Sequence, residues 1–159
     1  MVISLRFEVS FGQLAVFAGA LSQPFNDWTN QHVEQGFSWR EGSVSFRTIS
    51  EAGELFVVVN VVDQLENVNP SAIRIIEVPF EVPKDGTIEI GSITETVPVS
   101  IPSGPYLLRC EFMKANADDT EWAQLTFAKD HVPHFLIVLA DPDITARGEL
   151  LTTARPAQS

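Results

Sequence analysis

The 159-residue sequence has few cysteines and no long apolar run, and each shortage excludes a class of protein. The single cysteine, Cys110, cannot form a disulfide within one chain, which favours a reducing compartment. No apolar stretch approaches the roughly 18 residues that a membrane-spanning helix requires. The N-terminal segment lacks a basic start and alternates apolar with polar residues, unlike a secretory signal. We therefore expect a cytoplasmic protein.

Positive charge is also scarce. The chain has 10 lysines and arginines against 21 aspartates and glutamates, a net charge of −11. Residues 51–100 supply most of this excess, with nine carboxylates and two cations. Such a chain is repelled by nucleic acid and by anionic membranes and is attracted to basic protein surfaces. The composition argues against nucleic-acid and membrane partners, although acidity can also serve solubility alone.

Short strand-like runs occupy most of the chain. Residues 2–11 alternate apolar with polar side chains, which predicts a half-buried strand, and the valine-rich run 54–62 predicts a central one. Pro79 interrupts a further run, which we expect at a sheet edge or bulge. The triplet 84–86 (Lys-Asp-Gly) predicts a tight hairpin turn. About ten such runs indicate a mainly β protein, an antiparallel β-sandwich or a flattened barrel.

The length fits one domain, in which residues 1–142 form the sandwich and residues 143–159 a flexible C-terminal tail. Residues 25–37 depart from the β pattern and predict a short α-helical insert between the second and third strands. Gly36 is suited to end this helix in a left-handed conformation. Its N-cap candidates are Asn26, Asp27 and Thr29. Because so short a helix is unstable alone, it must dock on the sandwich, and Trp28 and Phe37 are suited to hold it there.

Known catalytic and nucleotide-binding motifs do not occur in the sequence. The three histidines (His32, His131 and His134) do not provide the four ligands of a structural zinc site. Cys110 shares an alternating strand face with Leu108 and Phe112, which predicts a buried and inert thiol. The residues therefore provide no basis for an enzyme.

Four loop aspartates leave calcium open as an alternative. Asp118 and Asp119 are adjacent in one loop, and Asp141 and Asp143 lie two residues apart in another. Carboxylate oxygens are the ligands that Ca²⁺ prefers, although such acids are more often simply solvated. A ligand-binding β-sandwich, calcium-dependent or not, is therefore the alternative function.

An acidic face with aromatic anchors could instead imitate the nucleic-acid backbone toward a basic protein. Electrostatic complementarity selects partners and accelerates association, and tight inhibitors also need central aromatic anchors. The candidate anchors are Trp28, Trp39 and Trp122, and the alternative role for each is core packing.

Three blocks of sequence carry a family resemblance. The first is Asp27-Trp28-Thr29 at the helix start, with Gly36-Phe37, Glu41-Gly42 and Ser45-Phe46 after it. The second is the run from Val78 to Ile93. The third has the spacing Pro-x-Gly-x-Tyr-x-Leu-x-Cys from Pro102 to Cys110. In this order, across residues 5 to 115, they resemble the competence protein J family, the DNA-entry nuclease inhibitors.

The resemblance implies a non-catalytic protein without cofactors that binds and inhibits a cognate DNase, of a competence or a toxin-type system. Its partner would be a basic nuclease, because nucleases that hold DNA are basic around the active site. The acids of the middle third would contribute to the interface. The candidate partner-binding residues are Asp27, Trp28, Glu34, Trp39 and Glu41.

Overall fold

The computed structural model describes residues 1–113, 120–129, 132–145 and 148–158. Eleven strands and one helix follow one another in these residues. They are β1 (Val2–Val9), β2 (Gln13–Ala18), α1 (Asn30–Gln35), β3 (Phe37–Arg40), β4 (Ser43–Arg47), β5 (Gly53–Val62), β6 (Ala72–Val82), β7 (Thr87–Gly91), β8 (Thr96–Ser100), β9 (Gly104–Met113), β10 (Glu121–Ala128) and β11 (Leu136–Leu139). No helix among them is long and apolar enough to cross a membrane.

The strands form two sheets that pack face to face. One sheet has the order β1-β5-β10-β9-β6-β11, and the other has the order β3-β4-β2-β7-β8. Of the pairs between described strands, β5 and β10 are parallel and the others are antiparallel. The predicted β-sandwich with one helix between its second and third strands is confirmed. The six-stranded sheet is mixed rather than purely antiparallel.

Alternate residues of both sheets fill one core. In β9 these are Tyr106, Leu108, Cys110 and Phe112, all buried. They pack in one cluster with the inward side chains of the five-stranded sheet, such as Val16 in β2. Alternation with period two therefore places a continuous apolar layer between the sheets.

The outward face of β9 is buried as well, because the segment 63–71 crosses it on the way from β5 to β6. Arg109 bonds to the carboxylate of Glu77 and donates from Nη1 to the carbonyl oxygen of Glu66, 2.9 Å away. The backbone N–H of Asn69 donates to Glu111 at 2.7 Å. A buried polar layer thus fixes this crossing segment to the six-stranded sheet.

Pro79 lies in β6, between β9 and β11. Among the described residues, β11 pairs with β6 only as far as Glu77. The side of β6 away from β9 is therefore unpaired at Pro79, which places the proline at a local sheet edge, as expected.

The turn at Gly86 is not the hairpin that the sequence predicts. Gly86 has a φ of 73° and donates its N–H to Pro83, so the tight turn itself is present. The strands on either side, β6 and β7, belong to different sheets. Local turn chemistry determines how sharply the chain reverses and leaves open which strand each arm will pair with.

The C-terminal segment, for which the sequence predicts a flexible tail, makes defined contacts in its described residues. Ile144 lies in the core at 6% exposure. Thr145 donates its N–H to the carbonyl oxygen of Glu34 at 2.7 Å, and Ala157 donates to Phe25 at 2.8 Å. The segment therefore runs beside the insert that contains α1.

Candidate partner-binding surfaces

Thr29, one of the three candidate N-caps, is the N-cap of helix α1. Its side chain accepts a hydrogen bond from the N–H of His32, and its own N–H donates to Nδ1 of His32 at 2.9 Å. This is a reciprocal capping box with histidine in the place usually taken by glutamate. Gly36 ends the helix with a φ of 87°, which confirms the predicted left-handed C-cap.

The buried face of α1 is polar, and this was not expected. His32 and Gln35 are its buried residues, whereas Val33 is 39% exposed. Nε2 of His32 donates to the carbonyl oxygen of Thr153 at 2.9 Å, since Nδ1 already accepts from Thr29. Gln35 accepts from the N–H of Leu151 and donates to its carbonyl oxygen. The helix is therefore held by hydrogen bonds to the C-terminal segment.

Asp27, a predicted partner-binding residue, is bonded within the chain. Its carboxylate accepts from the N–H of Arg155 at 3.1 Å, and its own N–H donates to the carbonyl oxygen of Arg155 at 2.8 Å. The neighbouring Asn26 is buried and donates to the carbonyl oxygens of Ser38 and Ser43. This part of the insert connects the C-terminal segment to β3 and β4.

Trp39 and Glu41, two further predicted residues, lie beside one groove of about 260 Å³. Nε1 of Trp39 donates to the carbonyl oxygen of Pro79 at 2.8 Å. Exposed Glu41 is at the β3–β4 turn, and exposed Glu81 lies at the end of β6. Two carboxylates therefore flank a groove whose apolar wall includes Trp39, Pro79 and Pro105.

Trp28 lies at the other end of the five-stranded sheet, beside a pocket of about 290 Å³. We call this the Phe11 pocket; its main lining residues are Phe11, Gln13, Trp28, Val33, Ile49 and Glu51. The length of β2, about 17 Å at the usual rise per residue, separates it from Glu41. Trp28 and Trp39 therefore line separate concavities.

The sequence did not indicate Phe11 or Gln13 as functional residues. Phe11 is 76% exposed and is the one described non-glycine residue with positive φ, at 59°. Positive φ is usual for glycine and asparagine and exceptional for a bulky residue. The available signal was a Phe-Gly pair at a tight turn, a position where Asn-Gly is favoured.

The two remaining candidates are exposed and far apart. The side chain of Glu34 lies on the outer side of α1, while its backbone carbonyl accepts from Thr145. Trp122 is 38% exposed on the outer face of the six-stranded sheet and stacks on Phe56 at 4.8 Å. Core packing, the alternative expected for each tryptophan, does not describe Trp122.

The charges are distributed unequally between interior and surface. Arg74 and Arg109 are buried and paired with Asp141 and Glu77. Arg47 and Arg40 are half-buried; Arg47 bonds to the backbone of Val33 and Asp143, and Arg40 to Asn26 and the backbone of Gln23. Among the described residues most carboxylates face solvent, and the exposed ones are Glu8, Glu34, Glu41, Glu51, Asp63, Glu66, Glu81, Asp85, Glu95, Asp143 and Glu149. In the part of the chain that the structure describes, the exposed cations are Arg6, Lys84, Lys129 and Arg155.

One aspartate of the calcium alternative is already paired. Asp141 forms a two-point salt bridge with the fully buried Arg74, with distances of 2.7 and 3.0 Å. Asp143 is exposed, and Asp118 and Asp119 lie outside the described residues. In residues 1–113, 120–129, 132–145 and 148–158, no three acidic, histidine or cysteine side chains are grouped as metal ligands.

The thiol and histidines have structural surroundings. Cys110 is fully buried, as predicted, and burial raises the pKa of its thiol well above the ordinary value of 9.0. His134 contacts Glu77 at 2.7 Å, on the carboxylate that also holds Arg109. His131 lies outside the described residues. Burial in the core accounts for the position of Cys110, and the contact with Glu77 accounts for that of His134.

The fold and its surfaces define a small, acidic β-sandwich protein with an exposed pocket and a groove. The chain belongs to the Competence protein J (ComJ) family, whose model matches residues 6–129. The resemblance found in three sequence blocks is thereby confirmed.

Individual relatives agree with this assignment. The DNA-entry nuclease inhibitor of Bacillus subtilis (strain 168) is 30% identical over 115 residues, covering 72% of this chain and 84% of that protein. The crystal structure of ComJ from Bacillus subtilis, described as an inhibitor of the DNA degrading activity of NucA, matches with a TM-score of 0.70 and 22% identity. That match covers 80% of this chain and 98% of that one.

A second solved structure has the same fold. The protein named Crocagin biosynthetic gene J matches with a TM-score of 0.52 and 12% identity, over 82% of this chain and 98% of that one. At these identities the structural matches establish the fold and nothing beyond it.

Proposed function

We propose that this protein binds a cognate basic DNase in the cytoplasm and inhibits it by protein–protein contact, without catalysing a reaction itself. Two descriptions of relatives support the proposal. The 30% identical relative is a DNA-entry nuclease inhibitor, and ComJ of Bacillus subtilis is described as an inhibitor of the DNA degrading activity of NucA.

The observation that carries the proposal is the excess of exposed carboxylates over exposed cations among the described residues. Arg74 and Arg109 are buried in ion pairs with Asp141 and Glu77, so they do not neutralise the exposed carboxylates. The outward carboxylates, by contrast, form few ion pairs in the described residues, such as the pair between Glu54 and Arg6. A solute near this surface therefore meets an excess of negative charge.

A DNase that grips DNA presents cations where phosphates bind. Those cations would be attracted by exposed carboxylates such as Glu34 and Glu41 over a range of about 10 Å at 0.1 M salt. Attraction of this kind raises the association rate and selects basic partners over others. Nucleic acid and anionic membranes would be repelled by the same field.

Two of the five predicted interface residues have internal roles that modify the proposal. The carboxylate of Asp27 accepts from the backbone N–H of Arg155, and the indole of Trp39 donates to the carbonyl oxygen of Pro79. Each residue would therefore act indirectly, by fixing the position of the surface residues around it. Glu34 and Glu41 remain as exposed charges, and Trp28 remains as a pocket-lining aromatic residue.

The test is inhibition of the DNase encoded beside this protein's gene. Plasmid DNA is incubated with that nuclease while the inhibitor is raised from substoichiometric amounts to a tenfold excess. We expect cleavage to stop near equimolar protein. Poly-glutamate carrying the same total charge is the control for charge alone and should inhibit weakly. Undiminished cleavage at molar excess would contradict the proposal.

A further inference from the structure

Residues 148–158, here called the terminal peptide, lie along the helical insert without entering the core. None of these residues is buried, and only Leu150 among them packs partly against the core cluster. Concavities of about 340 and 260 Å³ remain between the peptide and the insert, so the two surfaces do not interdigitate. Core segments bury their side chains in close packing. A different interaction must therefore hold the terminal peptide in place.

Hydrogen bonds to the main chain of the peptide supply that interaction, and they recur at every second residue. Nε2 of Gln31 and Nε2 of His32 donate to two of its carbonyl oxygens, at 3.0 and 2.9 Å. The carbonyl oxygen of Phe25 accepts from one of its N–H groups at 2.8 Å. A period of two is that of an extended strand. The bonded residues of the peptide are Glu149, Leu151, Thr153, Arg155 and Ala157.

Two residues of the peptide are held through both of their main-chain groups. The N–H of Leu151 donates to Oε1 of Gln35 at 2.8 Å, and Nε2 of Gln35 donates to the carbonyl oxygen of Leu151 at 2.9 Å. The N–H of Arg155 donates to the carboxylate of Asp27 at 3.1 Å, and its carbonyl oxygen accepts from the N–H of Asp27 at 2.8 Å. The two clamps lie four residues apart, about 13 Å along an extended chain. They therefore fix the direction and the register of the peptide.

The side chains of the terminal peptide take no part in these bonds. Among the described residues, none of them forms a hydrogen bond or an ion pair, and Thr153 and Arg155 are exposed. The insert thus contacts a backbone rather than a particular sequence. In the recognition of extended peptides, main-chain bonds provide the affinity and side-chain pockets provide the specificity.

The insert orients the clamping side chains by itself. Nε2 of Gln35 also donates to the carbonyl oxygen of Phe37 at 2.9 Å, and Nδ1 of His32 accepts from the N–H of Thr29 at 2.9 Å. Gln35 and His32 are 3% and 1% exposed. Their remaining polar atoms need partners other than bulk water, and the peptide supplies them. The site is therefore built by the insert and completed by a ligand.

We propose that residues 25–35 form a binding site for an extended peptide, which they recognise through its main chain at every second residue. The terminal peptide is the resident occupant of this site. The ligand is an extended segment that carries an apolar side chain at the position of Leu150. A chain whose own segment has been released takes up the same segment from solution. This inference goes beyond the proposed inhibition of a DNase and does not depend on it.

The experiment releases the resident segment in the full chain. Leu151→Pro combined with Arg155→Pro removes the two N–H groups that the clamps accept, and it leaves the pair of Arg74 with Asp141 unchanged. Thr152→Pro combined with Ala154→Pro is the matched control. It introduces the same number of prolines at N–H groups that form no hydrogen bond in the part of the chain that the structure describes.

The probe is a fluorescent synthetic peptide with the sequence of residues 148–158. A second peptide carries N-methyl groups at residues 151 and 155, and a third carries Thr153→Gln and Arg155→Gln. Fluorescence anisotropy gives the Kd of each peptide for the released variant, the control and the wild type. Circular dichroism and the melting temperature report whether each protein is folded.

We expect the released variant to bind the unmodified peptide and the third peptide with Kd values within about threefold of each other, because exposed side chains are not recognised. N-methylation should weaken binding about tenfold or more, since two main-chain donors are lost. The wild type and the control should bind the probe at least about tenfold more weakly than the released variant, because their own segment competes at a high effective concentration.

Three results would overturn the inference. The first is a folded released variant that binds no peptide. The second is an N-methylated peptide that binds as tightly as the unmodified one, because the main chain is then not what is recognised. The third is a wild type that binds the probe as tightly as the released variant, which would place the probe elsewhere on the surface.

Hydrogen exchange tests the same inference without prolines, in case the released variant does not fold. In the wild type, the amides of Leu151 and Arg155 should exchange at least about tenfold more slowly than those of Thr152 and Ala154. The full chain with Thr153→Gln and Arg155→Gln should keep this alternation. Loss of the alternation in that variant, or its absence in the wild type, would contradict recognition through the main chain.

Discussion

The indole Nε1 of Trp39 donates a hydrogen bond to the carbonyl oxygen of Pro79, 2.8 Å away, and so joins an edge strand of one sheet to β6 of the other. The ring of Phe135 packs edge-to-face on the same indole, with centroids 4.9 Å apart. This contact closes the sandwich on the side of β3 and forms one wall of the groove between Glu41 and Glu81.

Replacing Trp39 with phenylalanine should therefore destabilise the fold. The carbonyl oxygen of Pro79 loses its donor, which costs about 1–3 kcal/mol when the acceptor stays partly buried. Urea unfolding followed by circular dichroism gives the free energy of unfolding. Trp122→Phe, on the exposed outer face, is the control and should change it by less than about 0.5 kcal/mol. Equal effects of the two substitutions would contradict the role assigned to this bond.

Asp141 and Asp143 allow a second comparison, between an ion-paired aspartate and an exposed one. Asp141→Ala removes the counterion of a fully buried guanidinium, Arg74, and should lower the free energy of unfolding by about 3–5 kcal/mol. Asp143→Ala removes an exposed carboxylate two residues away and should have little effect. Chemical denaturation separates the two variants. A wild-type melting temperature that rises with added Ca²⁺ would instead favour a metal role for these loop acids.

The amide of Leu151 reports directly on the contact between α1 and the C-terminal segment. Its N–H donates to Oε1 of Gln35 at 2.8 Å, so Gln35→Leu should abolish its protection from hydrogen exchange. Gln31→Leu, which alters an exposed neighbour bonded to the backbone of Glu149, should leave that protection intact. Exchange followed by NMR or mass spectrometry measures the difference. Unchanged protection in Gln35→Leu would mean that the segment is held by other contacts.

Cys110 should be inert in the folded protein. Burial raises the pKa of its thiol above the ordinary value of 9.0, which lowers the thiolate fraction at pH 8, and the surrounding core blocks access. A thiol-specific reagent such as DTNB should react only at the rate of unfolding. The unfolded chain releases this proton first as pH rises, so the thiol makes the fold less stable above the ordinary thiol pKa. Rapid reaction of the native protein would contradict the burial.

The carboxylates beside the groove should govern how fast the DNase complex forms. Glu41→Gln combined with Glu81→Gln is expected to lower the association rate and its salt dependence, with a dissociation rate unchanged within about twofold. Glu8→Gln with Glu149→Gln removes the same net charge elsewhere and is the matched control. Stopped-flow mixing at several salt concentrations provides the rates. An association rate that does not change with salt concentration would exclude electrostatic steering.

Local patterns predicted the elements but not their neighbours. Alternation in β1 and the valines of β5 correctly indicated a half-buried and a central strand. The strand β3 was not predicted, because four residues with two aromatics are too short for a periodicity. Pairing between β5 and β10 joins residues far apart in sequence, and no local signal shows it.

The site was harder to predict than the fold, because more of its contacts join residues that are far apart in the sequence. Gly36 and Thr29 could be assigned as caps, since capping depends on adjacent residues. The partners of His32 and Gln35 lie more than a hundred residues away, so their burial was invisible in the sequence. The acidity of the chain was apparent from composition, whereas the burial of Arg74 and Arg109 in ion pairs needed coordinates.

The parallel pairing of β10 between β5 and β9 also determines the order in which the molecule can be completed. While the chain is being synthesised, β1 with β5 and β6 with β9 can form two separate halves of the six-stranded sheet. Until residues 121–128 emerge, each half retains an unpaired apolar edge, on β5 and on β9. The central strand is thus inserted after both halves have been synthesised, with only the edge strand β11 still to follow, and the nascent protein is most prone to aggregation just before this strand joins the halves.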